Sequence, residues 1–400
     1  MKKGWVTKTL GEILEKTETT NPTNKPDSEF DYIDVSSVSN ITFSVETTQT
    51  LKGKDAPSRA RKLVRENDVI FATIRPTLKR IAIVPKELDQ QICSTGYCVL
   101  RAKPEIDHRF LFYSLFTASF MGQMESLQKG ASYPAVTEGE VKAQSFSFPP
   151  LPEQQRIVAI LDEAFEAIAT ARANTEQNRQ NARTLFESYL QSVFSQRGEG
   201  WVDKPIGELC QRLHQGLNTA GEKIKFVETG YPIIQTRNID EGVVDLNHQM
   251  KFMSEDDWHL YRDKYRPETG DVFFTNIGTI GKTAIVKEER DYLIHWNIFK
   301  LRPRFDLISP AYLRYSLEQL TLSGYFKRMQ KGGTVDFVTK KMISEATLSL
   351  PSMTIQADIV CQMDSLREET QRLESLYQRK IAALDELKQS LLQQAFSGQL

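Results

Sequence analysis

Residue patterns that could support catalysis are incomplete in this sequence. Gly278–Thr283 (GTIGKT) resembles the end of a phosphate-binding loop, but that loop requires a glycine five residues before Gly281, where Asn276 stands. The histidines and cysteines are scattered and show no metal-ligand spacing. No combination of acid, base and nucleophile that would support group transfer emerges. The sequence therefore predicts a chain that is not an enzyme and holds no metal or cofactor of its own.

The residues best suited to binding lie in a basic segment, Lys52–Arg65. Its lysines and arginines are accompanied by a single acid, Asp55. Small polar residues and arginines alternate from Ser58 to Arg61, a composition that suits contacts with phosphates and base edges. Because a run of charge is often only a solvated surface, this alternative interpretation stays open. The segment is a candidate for nucleic-acid binding.

Composition limits the remaining possibilities. The chain has 400 residues and a formal net charge of −1, so binding to nucleic acid would need local basic patches. This length allows two to four domains. No apolar run reaches the roughly 18 residues that a membrane helix needs, and the polar sequence after Trp5 predicts no signal peptide. With its scattered cysteines, the chain is predicted to be cytoplasmic and free of membrane contacts.

Two long helices must hold any such surface in place. Prolines precede Glu153, and no proline or glycine follows until after Arg197, so the sequence predicts a helix about 65 Å long. Apolar residues recur at the spacing of a coiled-coil seam, although Thr175 and Asn178 weaken it. The predicted seam residues of the first helix are Ile157, Leu161, Ala164, Ile168 and Leu185. Those of the second helix are Ile359, Met363, Leu366, Leu373, Leu384 and Leu387.

The second helix belongs to an internal repeat. A shift of 202 residues places Val136 on Val338, Pro149 on Pro351 and Gln154 on Gln356. The match continues upstream with small gaps. The chain is therefore predicted to contain two copies of one unit, each a globular part followed by a long helix. The predicted segments are two recognition domains, 1–150 and 198–351, and two spacer helices, 151–197 and 352–400.

These features together resemble a known family. The sequence is similar to the specificity (S) subunit, HsdS, of type I restriction–modification systems. The resemblance covers essentially the whole chain and is carried by the repeat and by Leu151–Val158 (LPEQQRIV), Gly278–Val286 (GTIGKTAIV), Gly332–Thr334 and Gln394–Gly398 (QAFSG). Ser58–Val84 also resembles one type of target recognition domain. The second copy departs from the pattern, since Thr354–Gln356 stands where the first has Pro152–Gln154.

The resemblance implies an α+β fold with two tandem α/β target recognition domains. Two long antiparallel coiled-coil helices would separate these domains with pseudo-twofold symmetry. Each domain would read one half of a split site in double-stranded DNA, and the helices would set the separation of the half-sites. Two methyltransferase (M) subunits would supply S-adenosylmethionine, and restriction (R) subunits would supply ATP and Mg²⁺ chemistry. The chain itself would direct these partners without catalysing a reaction.

The residues predicted to contact DNA combine positive charge with hydrogen-bonding side chains on loops. In the first half they are Lys54, Ser58, Arg59, Arg61, Lys62, Arg75, Lys79, Arg80 and Tyr133. In the second half they are Arg237, Asn238, Asn276, Lys282, Thr283, Lys331 and Thr334. An alternative class of function is a structural adaptor that joins two partners through its paired helices, without DNA.

Overall fold

The computed structural model describes residues 4–130, 132–196, 198–240, 242–329 and 337–400. The chain divides into two compact units. The first comprises Met1–Glu176 and Arg379–Leu400, and the second comprises Gln177–Gln378.

The first unit is built on short strands. These are β1 (Val6–Thr9), β2 (Glu29–Ile33), β3 (Gln49–Lys52), β4 (Ala60–Leu63), β5 (Val69–Ala72), β6 (Ile81–Ile83), β7 (Ile92–Ser94), β8 (Tyr97–Leu100) and β9 (Ser145–Phe148). They form a four-stranded sheet in the order β3-β2-β7-β4, a three-stranded sheet in the order β6-β5-β8, and a two-stranded β1-β9 ribbon. In the first of these sheets, β2 and β7 run parallel, and the other pairs are antiparallel. β5 directly follows Asp68, and its four residues are all buried.

Helices cover these sheets. They are α1 (His108–Ser114), α2 (Ala118–Leu127), α3 (Glu138–Lys142) and the long α4 (Leu151–Ser195). The apolar pattern from His108 to Gln123 predicts one helix, but the structure has two, because the Thr117 hydroxyl accepts a hydrogen bond from Phe120 N and begins α2. α4 extends over 45 residues, so the predicted long helix is confirmed.

The second unit repeats this plan with additions. Its strands are β10 (Val202–Pro205), β11 (Cys210–Gln215), β12 (Tyr231–Ile234), β13 (Ile239–Asp240), β14 (Val243–Val244), β15 (Lys251–Met253), β16 (Val272–Thr275), β17 (Thr283–Ile285), β18 (Leu293–Ile294), β19 (Ile298–Pro303) and β20 (Thr347–Leu350). Its helices are α5 (Ile206–Leu209), α6 (Glu255–Tyr265), α7 (Pro310–Leu322), α8 (Tyr325–Met329), α9 (Lys340–Glu345) and the long α10 (Met353–Ser397).

Strand register shows how closely the two copies agree. Ala72 pairs with Tyr97 across β5 and β8, and Thr275 pairs with Ile298 across β16 and β19. β12 and β18 run parallel, as β2 and β7 do. The central strands of the two units are therefore equivalent position by position. The predicted fold class, with two α/β domains and two long helices, is confirmed.

Both ends of each long helix take part in a domain core. In the first unit, Ile157 and Leu161 of α4 join a cluster with Phe110, Leu392 and Ala395. In the second unit, a corresponding cluster combines Leu190 of α4 with residues of α10 and the domain, among them Ile359, Met363, Tyr312 and Tyr315. The helices are thus held in place by the burial of apolar surface. Each Å² of apolar surface removed from water contributes about 25 cal/mol to the free energy of folding.

Polar contacts show that the helix segments run antiparallel within each unit. In the first unit, Arg156 Nη2 donates to the carbonyl oxygen of Leu400 at 2.9 Å, and Arg172 Nε lies 3.4 Å from Asp385 Oδ1. In the second unit, Arg183 Nη2 lies 3.2 Å from Glu374 Oε2, and the Tyr189 hydroxyl donates to Gln362 Oε1 at 2.6 Å.

The predicted seam residues are not all at the seam. Ile157, Leu161, Ile168, Ile359 and Met363 are buried, and Ala164, Leu366, Leu373 and Leu384 are half-buried. Leu185 and Leu387 are 54% and 47% exposed, because the helical rotation brings Ala182 and Ile381 inward instead.

Thr175 does not weaken the seam as the sequence suggests. It is buried, and its hydroxyl donates to the carbonyl oxygen of Ala171 at 2.7 Å. Thr370 of α10 is buried in the same way and donates to Leu366 at 2.9 Å. A threonine that bonds its own helix leaves no unpaired hydroxyl, so the seam tolerates it.

Candidate nucleic-acid interface

Three loops of the first unit meet where β5 ends. The backbone N–H of Thr73, the residue after β5, donates to the carbonyl oxygen of Gly96 at 2.8 Å. The carbonyl oxygen of Thr73 accepts from Val136 N at 2.9 Å, and Arg75 N donates to the Pro134 carbonyl at 2.7 Å. The turn after β5, the loop before β8 and the loop before α3 are therefore held side by side. We call these three loops the loop edge of the first unit.

The second unit has a corresponding loop edge after β16. Asn276 N donates to the carbonyl oxygen of Asn297 at 3.1 Å, and Val338 N donates to the carbonyl oxygen of Asn276 at 2.9 Å. Asn276 thus occupies the position in the second unit that Thr73 occupies in the first. Since the backbone bonds are the same and the side chains differ, the two loop edges are chemically distinct surfaces on one scaffold.

Arg75 and Tyr133 form an exposed pair on the first loop edge. Arg75 has a left-handed backbone, with φ 49°, and its guanidinium carbon lies 5.1 Å from the centroid of the Tyr133 ring. A further hydrogen bond joins Arg75 Nη2 to the Ser132 carbonyl at 3.2 Å. Tyr133 is nevertheless 72% exposed. The pair presents an aromatic face and a held positive charge to solvent, the combination that stacks on bases and contacts phosphate.

Arg59 of the basic segment lies beside this edge. Its carbonyl oxygen accepts from Thr95 N at 2.8 Å, beside Gly96, and its side chain is exposed. Ser58 is exposed beside it. Arg61 is half-buried, and its guanidinium group donates to the carbonyl oxygen of Ala60. Lys54 is exposed, and its backbone N–H donates to the carbonyl oxygen of Pro26. Lys79, at the end of the turn after β5, has a left-handed backbone and is partly exposed.

Two predicted residues of the first half act inside the protein. Lys62 is buried, and its ammonium group donates to the Tyr97 carbonyl and to Glu138. Arg80 donates from Nη1 to the carbonyl oxygens of Val35, Ser36 and Val38, which fastens the loop after β2. A lysine with two internal partners is not free to contact a ligand, so Lys62 supports the loops from within.

The predicted residues of the second half divide similarly. Asn238, Asn276 and Thr283 are buried, and each is hydrogen-bonded internally, so they also support the loops from within. Arg237 is exposed, and its Nη1 donates to Gln249 Oε1 at 3.2 Å. The ammonium group of Lys282 lies 3.2 Å from Asp240 Oδ1. Lys331 and Thr334 lie outside the described residues.

A repeated ion pair supports each central strand at the end away from the loop edge. Arg101 donates to Asp68 from Nε and Nη2, both at 2.8 Å, and both side chains are buried. In the second unit, Arg302 lies 3.3 Å from the buried Asp271. Burial raises the pKa of Asp271, and the hydrogen bond from Glu268 N and the charges of Lys300 and Arg302 oppose this. These pairs are structural and anchor the strands that carry the loops.

Sequence reasoning missed one residue of the second loop edge, Trp296. It occupies the position of Thr95, as the strand registers on either side show. The residue is 38% exposed. The sequence signal for it is an aromatic residue just before the segment Asn297–Arg302, which matches the strand at Tyr97–Arg101.

The described part of the chain shows no cluster of histidine, cysteine, aspartate or glutamate that could hold a metal ion. Among the same residues, no helix is both long and apolar enough to span a bilayer. The fold and the two loop edges define a class of protein: a two-unit recognition scaffold that presents different loops on a repeated frame.

The sequence of the chain places it in a particular family within this class. The family described as type I restriction modification DNA specificity domain matches residues 2–178 and again 198–381. Because the two matches cover most of the chain, the chain belongs to this family. It is a DNA-specificity subunit and not an enzyme, as the sequence predicts. The alternative of an adaptor without DNA is not favoured.

Individual relatives agree with this assignment. The chain is 23% identical to the type I restriction enzyme EcoBI specificity subunit of Escherichia coli, over 79% of this chain and 70% of the relative. It is also 23% identical to the EcoKI specificity subunit of Escherichia coli strain K12, over 80% of this chain and 72% of that protein.

Solved structures are similar over the full length. One, from work on complex assembly and conformational transition of the type I R-M system, has a TM-score of 0.89 and 30% identity, covering 100% of this chain and 99% of the other. The HsdS subunit from Thermoanaerobacter tengcongensis has a TM-score of 0.67 and 30% identity, covering 100% and 98%.

Proposed function

We propose that each unit binds one half of a bipartite site in double-stranded DNA through its loop edge. The proposal is supported above all by the repeated bonds at Thr73 and Asn276, which hold different loops on equivalent strands. A repeated frame suits a duplex, whose two half-sites offer equivalent grooves, and different loops suit half-sites of different sequence.

The proposed contacts of the first half-site come from the exposed basic residues of its loop edge and their neighbours. They are Arg75, Tyr133, Arg59, Ser58 and Lys79, with Arg61 and Lys54 at the margin. In the second unit the proposed contacts include Arg237 and Lys282, both exposed or partly exposed. Arginine is the side chain best suited to paired hydrogen bonds with guanine, and lysine to phosphate.

The proposed partners follow from the family. Two methyltransferase subunits, which carry S-adenosylmethionine, would methylate adenine within the site that this chain selects. Restriction subunits would add ATP- and Mg²⁺-dependent cleavage, and the assembly would work in the cytoplasm. The predicted segment boundaries, 1–150, 151–197, 198–351 and 352–400, remain part of this proposal.

Expression in a methylation-free host tests the proposal. The chain is produced with its methyltransferase partner, and modified adenines are mapped by long-read sequencing. We expect one bipartite motif with two unlike halves, which disappears when the chain is omitted. The purified chain alone should transfer no methyl group. Methylation of the same motif without this chain would refute its role in site selection.

A further inference from the structure

Trp296 is held on a rigid tip between β18 and β19. Its backbone N–H donates to the carbonyl oxygen of Leu217 at 2.9 Å. Its own carbonyl oxygen accepts from Gln215 Nε2 at 2.6 Å. Both backbone groups are therefore fixed to the neighbouring strand β11 and the residues after it.

The residue before Trp296 adds to this rigidity. The two ring nitrogens of His295 lie 2.7 Å from Asn297 Oδ1 and 3.1 Å from Thr219 Oγ1. Burial lowers the pKa of His295, and the charge of nearby Lys251 acts in the same direction. The ring is thus a neutral support at neutral pH, with a hydrogen-bond partner at each nitrogen.

Its exposure separates Trp296 from the other tryptophans. Trp258 is buried and stacks on Tyr231 with ring centroids 4.6 Å apart, and Trp5 and Trp201 pack against the two main domain cores. Trp296 belongs to none of the apolar clusters formed by the described residues, and 38% of its surface is accessible. A partly accessible indole on a fixed backbone is well suited to binding because little conformational entropy is lost.

Lysines lie on the segments beside this tip. Lys251 is exposed, and its ammonium group lies 4.4 Å from the centroid of the Phe226 ring. Lys223 and Lys225 are exposed on the loop that begins at Thr219, the bonding partner of His295. Lysines interleaved with aromatic rings suit the phosphates and base edges of nucleic acid.

We propose that Trp296 makes an apolar contact with base edges of the second half-site, while Lys251 contacts the phosphate backbone beside it. This inference rests on the function proposed above and adds a specificity residue to it. Trp296 as a residue is only 38% exposed, whereas an intercalating wedge inserts its side chain between base steps. The contact is therefore with the groove surface, where a thymine methyl group is the natural apolar partner.

The test uses the complete complex with its methyltransferase subunits. Trp296→Ala should weaken binding to the cognate duplex by about 5- to 100-fold and relax one or more positions of the second half of the methylated motif. The first half should be unchanged. Lys251→Ala should keep the motif and reduce the salt slope of binding by about one. Phe305→Ala, at the other end of β19 and 42% exposed in the parent chain, is the matched control and should alter neither half.

A second variant protects the test against misfolding. Trp296→Phe keeps an aromatic ring and should retain the parental unfolding temperature with an intermediate loss of affinity. An unchanged motif and affinity in Trp296→Ala would overturn the inference while leaving the proposed function intact. Failure of the parental complex to methylate any bipartite motif would instead overturn the proposed function. A large rise in 2-aminopurine fluorescence within the second half-site would show base unstacking and refute the groove-surface contact.

Discussion

The side-chain oxygen of Gln154 accepts a hydrogen bond from the backbone N–H of Asp107 at 2.9 Å. Asp107 is the residue that caps α1, with its carboxylate accepting from Arg109 N and Phe110 N. The amide of Gln154 also donates to the carbonyl oxygens of Glu105 and Pro149. One buried side chain thus joins the first turn of α4 to the first turn of a domain helix.

The second unit repeats this arrangement. Gln356 is fully buried, accepts from Ser309 N at 3.0 Å, and donates to the carbonyl oxygens of Leu307 and Pro351. Ser309 caps α7 as Asp107 caps α1. Because the same three bonds recur, this glutamine is the fixed joint between domain and helix in each unit.

Replacing the buried glutamine of this joint should destabilise the chain. Gln154→Leu leaves one buried N–H and two carbonyl oxygens without their partner, which should lower the free energy of unfolding by about 1–3 kcal/mol or more. Denaturant unfolding of the parent and variant chains measures the difference. Gln155→Leu is the matched control, since Gln155 is exposed on the same turn and should change stability little. Equal stability of the two variants would show that the joint is unimportant.

This joint also shows what the sequence could and could not predict. The repeat, the long helices and the central strands follow from proline positions and apolar spacing. The shared Gln154 and Gln356 are apparent in the repeat, but glutamine is usually exposed, so their burial was not predicted. The second copy lacks Pro152 and Glu153 and still forms its helix, which shows that the buried amide is the common element.

The binding residues were predicted less well, for a related reason. Charge identifies Arg59 and Lys62 equally, but only the fold brings Glu138 and the Tyr97 carbonyl onto Lys62. Trp296 was missed because its significance depends on a rigid tip whose bonds join distant residues, such as Gln215. Residue type predicts a candidate surface, and tertiary partners decide which members of it are accessible.

Arg59 and Lys62 should therefore respond differently to substitution. Arg59→Ala should weaken DNA binding, with a salt slope smaller by about one if the guanidinium contacts phosphate, and it should leave unfolding unchanged. If it reads a base, the cost should be about 1–3 kcal/mol of binding with one relaxed motif position.

Lys62→Met should instead lower the free energy of unfolding by about 1–3 kcal/mol, because Glu138 and the Tyr97 carbonyl lose their partner. Binding titrations over a salt series, with denaturant unfolding of each variant, separate the two outcomes. A Lys62 variant of parental stability with altered salt dependence would return Lys62 to the interface.

Glu138 should make the first unit sensitive to acid. Burial raises the pKa of Glu138, but the hydrogen bond and the charge of Lys62 together lower it by more. The net effect is a pKa below the usual 4.5. A carboxyl group with a depressed folded-state pKa contributes stability above the unfolded pKa, and that stability is lost as pH falls through the folded pKa. The stability difference between the parent chain and Glu138→Gln should therefore shrink as pH falls from 7 to below 4.5. Glu125→Gln, exposed on α2, should show no such convergence.

The equal lengths of α4 and α10, 45 residues each, lead to a prediction about DNA spacing. The boundary between the units falls after Glu176 in α4 and after Gln378 in α10. Inserting four residues after Asn178, with a matched insertion after Lys380, should add about 6 Å of helix at this boundary. That length corresponds to roughly two base pairs.

The rotation introduced by the insertion predicts how well the longer site will bind. Four residues exceed one helical turn by roughly 40°, and two base pairs rotate the second half-site by roughly 70° in the same right-handed sense. The remaining mismatch of about 30° is moderate, so we expect a weaker site with the same two halves and a longer gap. Methylation mapping of the double-insertion complex measures the gap directly. A single insertion is the control and should lose activity, because it shifts one side of the antiparallel seam. The original spacing in the double variant would show that the long helices do not measure the distance.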